Sequence, residues 1–451
     1  MPYTGAYCRL METFFKIIAL PVLSMLTITS SSFNTFAQEK SKAVVIAKTH
    51  QQAISKIAAN AKVKKAMQTI VDLEPETMSN LVLLTEIPAP PYKEDKRAAK
   101  FAEMIKALGV DSVWTDTAGN VIALRKGQSG KKRIILDAHM DTVFPEGTDV
   151  KVVKRGDTLY APGIADDTRG LASVLTLLKV MNQSNLKTEA DVLFVGTTGE
   201  EGQGDLRGVK NLFSAAGPGK IDSYIALDGT GIGGIVHRGL GSHRYRITFK
   251  GPGGHSFGAF GLANPHNALG RAIHYWVVEA DKFVQQSGVP VTYNVAVTGG
   301  GTSVNSIPFE SWMEVDMRSE NSERLSGIDE LLQLAVKKAL AEENAMKKKG
   351  KDLTVEVKMI GNRPSGSNDP NLPLVQHAMA SMKYLGAEPA LRGSSTNANI
   401  PISKGVPAIT IGSGGKSGSA HALNEWFVND KGYLGIQQAL LILLAEAGIA
   451  K

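Results

Sequence analysis

Apolar positions along this chain follow two rhythms, and the change between them divides it. Residues 133–139 and 191–196, built round the apolar runs 134–136 and 192–195, read as buried strands, with residues 168–181 a helix between them and 223–227 a further strand. That alternation predicts an α/β layer with a mixed, mostly parallel sheet and helices on both faces. Past Gly239 the strands become half-wet. Residues 243–250 (His-Arg-Tyr-Arg-Ile-Thr-Phe-Lys) alternate with period two, as do 291–297, 312–318 and 353–359, and helical patterns cover 264–283 and 323–349. Their order is β-α-β-β-α-β, a ferredoxin-like unit inserted into the first domain. After about Asn362 the first rhythm returns, with a strand over 407–412 and a helix over 431–447.

Upstream of the first long strand, residues 42–66 and 94–108 read as helices separated by the loop Pro88-Ala89-Pro90-Pro91, because proline blocks helix continuation. Residues 111–126 read as a hairpin turning at Ala118-Gly119-Asn120.

Composition fits this picture without sharpening it: 451 residues, 43% apolar and 21% charged, suit two or three domains with a sizeable core. The formal charge of +7 is dispersed, with short lysine clusters at Lys131-Lys132-Arg133 and Lys347-Lys348-Lys349. At 6% aromatic residues the chain offers few stacking platforms, so it does not read as a nucleic-acid binder.

The N-terminus changes the picture more. Lys16 precedes the apolar stretch 17–26, and Thr35-Phe36-Ala37 resembles a small-residue cleavage site, so residues 1–37 are expected to be a signal peptide, with Met1 or Met11 as the start. The apolar run is too short and broken to span a bilayer, which needs ~20 residues. The mature chain is therefore expected to be secreted or periplasmic, with no stable membrane span. The single cysteine, Cys8, falls in the segment removed, which excludes disulfides, thiolate metal sites and cysteine nucleophiles from the mature protein.

The candidate chemistry collects where strands end. His139-Met140-Asp141 closes one strand, Asp166-Asp167 precedes a helix, Glu200-Glu201 follows another strand, Asp228 ends a third, and His421 comes late. Taken singly these are commonplace: Asp before a helix is usually an N-cap, and Glu-Glu is usually a wet helix start. Together they supply imidazoles and hard carboxylate oxygens, the donors zinc or manganese takes when thiolates are missing. The His-x-Asp spacing lets Asp141 accept the second N–H of His139 and fix its tautomer. Neighbouring residues at a strand end point different ways, so one glutamate of Glu200-Glu201 can ligate while the other takes a proton from a metal-bound water.

Four strings carry a resemblance: Leu-Asp-Ala-His-Met-Asp-Thr-Val, Ala-Pro-Gly-Ile-Ala-Asp-Asp-Thr-Arg-Gly, Thr-Thr-Gly-Glu-Glu-Gly and Gly-Pro-Gly-Gly-His-Ser. They resemble the M20 family (M20/M25/M40) of di-zinc peptidases and amino-acid deacylases, which includes peptidase T, the glutamate carboxypeptidases and the succinyl-diaminopimelate and acetylornithine deacylases. The resemblance implies a zinc-exopeptidase-like catalytic domain over 38–238 and 362–451, with a lid or dimerisation domain over 239–361. It implies two divalent ions, zinc first with manganese or cobalt as alternatives. His139 and Asp228 would hold one, Glu201 and His421 the other, and Asp166 would bridge them. Glu200 matches the general base, Asp141 the residue orienting the first ligand, and His255 the lid histidine that stabilises the oxyanion, donated in some members by a partner subunit. Asn305 and Arg318 match substrate-binding positions, though an exposed ion pair is the plain alternative for Arg318. Family members carry a cis peptide at the position of Asp166-Asp167. This chain has Thr168 and Arg169 where many relatives differ, and Asp at 228 resembles aminopeptidases and di- and tripeptidases more than deacylases.

The expected function is hydrolysis of small peptides, di- or tripeptidase or aminopeptidase-like, through a metal-bridging water activated by Glu200. An N-acyl amino acid deacylase is the nearer alternative, and a non-catalytic peptide-binding protein on the same scaffold the more distant one. The resemblance allows a homodimer through the lid, with a small peptide or N-acyl amino acid as substrate.

Overall fold

The structure is a computed structural model that describes residues 44–450; the expected signal peptide lies outside the described residues. The chain opens on three helices, Lys48–Ala59, Ala61–Asp72 and Glu74–Thr85, where the sequence pattern predicts a single helix over 42–66. Asn60 breaks the first from the second, its extended backbone interrupting the helix while its side chain accepts from Lys62 N and caps the next. Glu74–Thr85 begins with proline in its first turn, where the missing N–H costs nothing.

The main sheet runs, edge to edge, Ser112–Thr115, Val121–Arg125, Asp191–Thr197, Arg133–His139, Ser223–Leu227, Ala408–Ile411, Gly234–Gly239 and Gly366–Ser367, with Ala390–Ser394 also on Gly234–Gly239. Its four central strands are parallel and its flanks pair mostly antiparallel, so the sheet is mixed. The buried strands alternate faces. Ile135, Leu193, Val195 and Tyr224 pack on Val209 and Leu212 of the short helix Arg207–Leu212 and on Ile400 and Ile402. The helices Arg169–Gln183 and Tyr433–Ala447 lie against Arg133–His139 as well. Each large apolar side chain so buried contributes roughly 1.5–3 kcal/mol.

The insert is a four-stranded antiparallel sheet in the order Val291–Gly300, Glu310–Ser319, Gly241–Lys250, Thr354–Arg363. Its two helices, Pro265–Val284 and Ser322–Met346, are each capped by an asparagine, Asn264 on His266 N and Asn321 on Arg324 N. Ile247, Phe249, Met313, Val315 and Met317 on the sheet meet Trp276, Ile328 and Leu332 on the helices. A second small sheet, Lys416–Gly418, Trp426–Val428, Thr158–Tyr160 and Val153–Arg155, packs beside the turn at Asp166. No helix among the described residues is long and apolar enough to cross a membrane.

Candidate metal centre

Strand geometry brings the candidates together. His139 is the last residue of its strand, Glu200 and Glu201 follow Asp191–Thr197, and Asp228 follows Ser223–Leu227, so three neighbouring parallel strands deliver them to one end of the sheet. Among the described residues, His139, Asp166 and Glu201 form a group whose ligand atoms all lie within 4.8 Å of one another. His139 Nε2 is 3.0 Å from Asp166 Oδ1, and His421 Nε2 is 3.1 Å from Asp166 Oδ2 and 3.0 Å from Glu201 Oε1. Asp166 thus faces both histidines, one through each oxygen.

The turn that presents Asp166 is built by its neighbours. The Asp166-Asp167 peptide is cis, and Gly163 before it sits at φ 75. Asp167 is fully buried; its Oδ2 accepts from His139 N at 3.1 Å and its Oδ1 from Gly170 N at 3.2 Å, tying the strand end to the helix start. A Cβ at position 170 would meet Asp167 Oδ1 at 2.3 Å, so glycine is needed there for close approach. Glu425, passed over by the sequence reading, supports the turn from the small sheet. Its carboxylate accepts from Gly163 N at 2.9 Å, Ala165 N at 2.8 Å and Asp166 N at 3.1 Å. The four-residue step from His421 was the available signal.

Asp141 orients His139, but not through the expected atom. The Asp141 main-chain oxygen is 3.0 Å from His139 Nδ1, whereas the nearer carboxylate oxygen is 3.7 Å away. The carboxylate is occupied elsewhere, accepting from Glu200 N at 2.9 Å and Glu201 N at 2.8 Å, so one residue fixes the histidine tautomer and the glutamate pair together.

Glu200 is buried, and Arg363 at the end of the insert's last strand pairs with it. Arg363 Nη1 donates to Glu200 Oε1 at 3.3 Å, and Nη2 donates to the Glu200 carbonyl; both side chains are 6% exposed. Burial pushes the Glu200 carboxyl well up from its ordinary range, opposed first by Arg363, with Glu201 adding to the rise. Asp228 is pushed up to about 7 by burial and then by the charge of Asp166. Burial would raise Asp166 too, but hydrogen bonds from His139 and His421 hold it below its ordinary value. Hydrogen bonds to Asp166 and Glu201 push His421 up to about 10. Arg363 sits four residues past the last strand position expected from sequence, which is why pattern alone did not select it.

The remaining candidates sit in the insert. Gly254–His255 pairs with Ser306–Ile307, and Ser256 N donates to Asn305 O at 2.9 Å, so His255 and Asn305 share one exposed loop pair. His255 Nδ1 accepts from Phe257 N and Gly258 N, both at 3.2 Å, which leaves Nε2 as the protonated nitrogen. Arg318 Nε donates to Asp316 at 2.7 Å with the side chain 40% exposed, the strand ion pair weighed above. No hydrogen bond among the described residues joins His255, Asn305 or Arg318 to the His139–Asp166–Glu201–His421 cluster.

The donor set fits a divalent metal centre. Asp166 and Glu201 converge with two imidazoles, Asp228 ends the neighbouring strand close enough to feel the charge of Asp166, Glu200 and Asp141 pack behind them, and Arg363 pairs with Glu200. Concentrated buried carboxylates are costly unless cations balance them. Imidazole with carboxylate is the set that suits zinc or manganese.

An α/β sheet carrying this donor set and a buried acid beside it defines a peptidase-like hydrolase with a metal-competent centre. The chain belongs to peptidase family M20/M25/M40, whose sequence profile matches residues 135–444. It is 26% identical over 359 residues to carboxypeptidase G2 of Pseudomonas sp. (strain RS-16), covering 76% of this chain and 82% of the relative. Among solved structures it is similar to a tripeptidase from Staphylococcus aureus, with a TM-score of 0.67 and 23% identity, covering 83% of this chain and 99% of that one. It is also similar to a dinuclear metal-binding peptidase of the M20 family from Bacillus subtilis, with a TM-score of 0.59 and 17% identity, covering 83% of this chain and 98% of that one.

Proposed function

We propose that this protein is an exported hydrolase that cleaves peptide bonds of small peptides with two divalent metal ions, zinc in the first instance. His139 and Asp228 would hold one ion, Glu201 and His421 the other, and Asp166 both. Ions held there supply Lewis acidity toward water and toward the substrate carbonyl. Glu200 accepts a proton from the attacking water and returns it to the leaving amine, a task for which a raised carboxyl is suited. Asp141 and Arg363 keep Glu200 aimed. His255 offers an Nε2–H to the developing oxyanion, Asn305 lies beside it in the same loop pair, and Arg318 has its terminal nitrogens free for a substrate carboxylate.

The observation that carries this reading is Glu200 itself: an acid buried beside the His139–Asp166–Glu201–His421 cluster, held by Arg363 and hydrogen-bonded to neither histidine. The named relatives, a tripeptidase and a carboxypeptidase, support a peptide substrate, and Asp228 supports the di- and tripeptidase side. In this reading residues 239–361 act as a lid that closes over the cleft and can pair two chains, and residues 1–37 direct export. The test is turnover of Gly- and Ala-containing di- and tripeptides by metal-loaded protein beside N-acetyl and N-succinyl amino acids. Faster release from the acylated substrates would move the assignment to a deacylase.

A further inference from the structure

The loop after Glu200 and Glu201 has little regular backbone of its own. Gly202, Asp205 and Leu206 lie at φ 48, 53 and 59, and the last two carry side chains in a region that favours glycine. Such a segment keeps its shape only where its surroundings hold it. Tyr92 Oη holds it from the catalytic layer, donating to Gln203 O at 2.6 Å. Lys210 Nζ on the following helix donates to Asp205 Oδ2 at 2.5 Å. Two further ties come from the insert: Asn362 N donates to Asp205 Oδ1 at 2.8 Å, and Arg244 Nη1 donates to Gly202 O at 3.0 Å.

Arg244 does more than touch the loop. Its Nε donates to Asp316 Oδ1 at 2.8 Å, while the other oxygen of Asp316 accepts from Arg318 Nε at 2.7 Å. One carboxylate is therefore shared between an arginine whose far end holds the Glu200 loop and an arginine whose terminal nitrogens make no hydrogen bond among the described residues. A planar guanidinium engaged on two edges is fixed in its plane, so gripping Arg318 from outside fixes Asp316, and Asp316 aims Arg244 at Gly202.

We infer that Arg244 is a positioning residue that couples the occupancy of Arg318 to the placement of Glu200 and Glu201, acting through Asp316 and the Gly202 carbonyl. The inference rests on the reading above in which Glu200 is the base and Arg318 receives a substrate carboxylate. A plain surface pair between Arg244 and Asp316 would contribute little to anything; the third contact, to the catalytic loop, sets this one apart.

The test uses the full zinc-loaded chain with Arg244→Gln, Arg244→Lys, Arg318→Lys and the Arg244→Gln/Arg318→Lys double variant, on a tripeptide and its C-terminal amide. Arg244→Gln is expected to lower kcat about 10- to 100-fold, the scale of a small misplacement of catalytic groups, with KM and metal content little changed. Arg244→Lys should recover part of the loss. On the free-acid tripeptide the two single losses should combine to less than their product, because the grip on Arg318 reaches Glu200 only through Arg244; on the amide, which leaves Arg318 unoccupied, Arg318→Lys should cost little and the losses should be independent. Deuterium exchange over residues 199–207, which needs no turnover, should be faster in Arg244→Gln than in the wild type. Unchanged exchange, an unchanged kcat, or independent losses on the free acid would overturn the coupling. A wild-type chain that hydrolyses neither substrate while the exchange still responds would overturn the functional reading instead and leave the tie between Arg244 and the loop standing.

Discussion

Replacing Glu425 by glutamine tests how the centre is held without touching a proposed ligand. The carboxylate receives three N–H groups, the buried Gly163 on Oε2 and, on Oε1, the buried Ala165 and the part-buried Asp166. Glutamine keeps one acceptor oxygen and turns an NH2 toward a donor, so at least one N–H is orphaned, at roughly 1–3 kcal/mol. Glu425→Ala would orphan all three, about 3–9 kcal/mol on the same scale, which is comparable to the whole stability of an ordinary domain. Glutamine is therefore the informative change. Its local cost falls on the turn from Gly163 to Asp166, which presents the residue facing both histidines, and supports of this kind typically contribute 10–100-fold in metal affinity. Zinc affinity measured by competition against a chromophoric chelator should fall by about that factor, with the melting temperature of the metal-free protein lower by a few degrees. Affinity within threefold of wild type at an unchanged melting temperature would refute the idea that Glu425 holds the Asp166 turn.

Other substitutions separate the roles further. Glu200→Gln should reduce turnover about 10²–10⁴-fold, the usual share of a general base, with metal content by elemental analysis unchanged. Arg363→Met removes the group that most opposes the rise of the Glu200 carboxyl. The base form then appears only at higher pH, so the acid limb of kcat/KM against pH should move up, by about 1–3 units for a lost arginine–carboxylate pair, and an unmoved limb would contradict the pairing. Chelation should lower the melting temperature as well as abolish activity, since ligand at 100 times its Kd stabilises by roughly 2.7 kcal/mol, and zinc should restore both.

Much of the scaffold was legible in the sequence because its strands are buried on both faces or alternate cleanly. Arg133–His139 is built round the apolar run Ile134-Ile135-Leu136, and the strands of the insert alternate in and out, as Glu310–Ser319 does along its whole length. What escaped was poor in apolar pattern. Gly234–Gly239 follows the glycine cluster 229–234, and the strands at 390–394 and 416–418 are short and mostly exposed or half-exposed. The first opening helix and the start of the second merged into the expected helix 42–66 because Asn60 interrupts only the backbone, while the apolar spacing continues through it; the third, Glu74–Thr85, lies beyond that expected range. At the site, residue types at strand ends identified the cluster, but supporting contacts are three-dimensional. Arg363 lies 163 residues from Glu200, Glu425 lies 259 from Asp166, and whether Asp141 meets His139 through its side chain or main chain is invisible to spacing.

The central claim, a metal-dependent peptide hydrolase centred on Asp166, is tested most directly by measuring metal stoichiometry and tripeptide hydrolysis together in wild type and Asp166→Ala. The expected result is two metal ions per chain with turnover in the wild type, and loss of both in the variant. A wild type that binds no divalent metal, or an Asp166→Ala chain that keeps its metals and its activity, would contradict it.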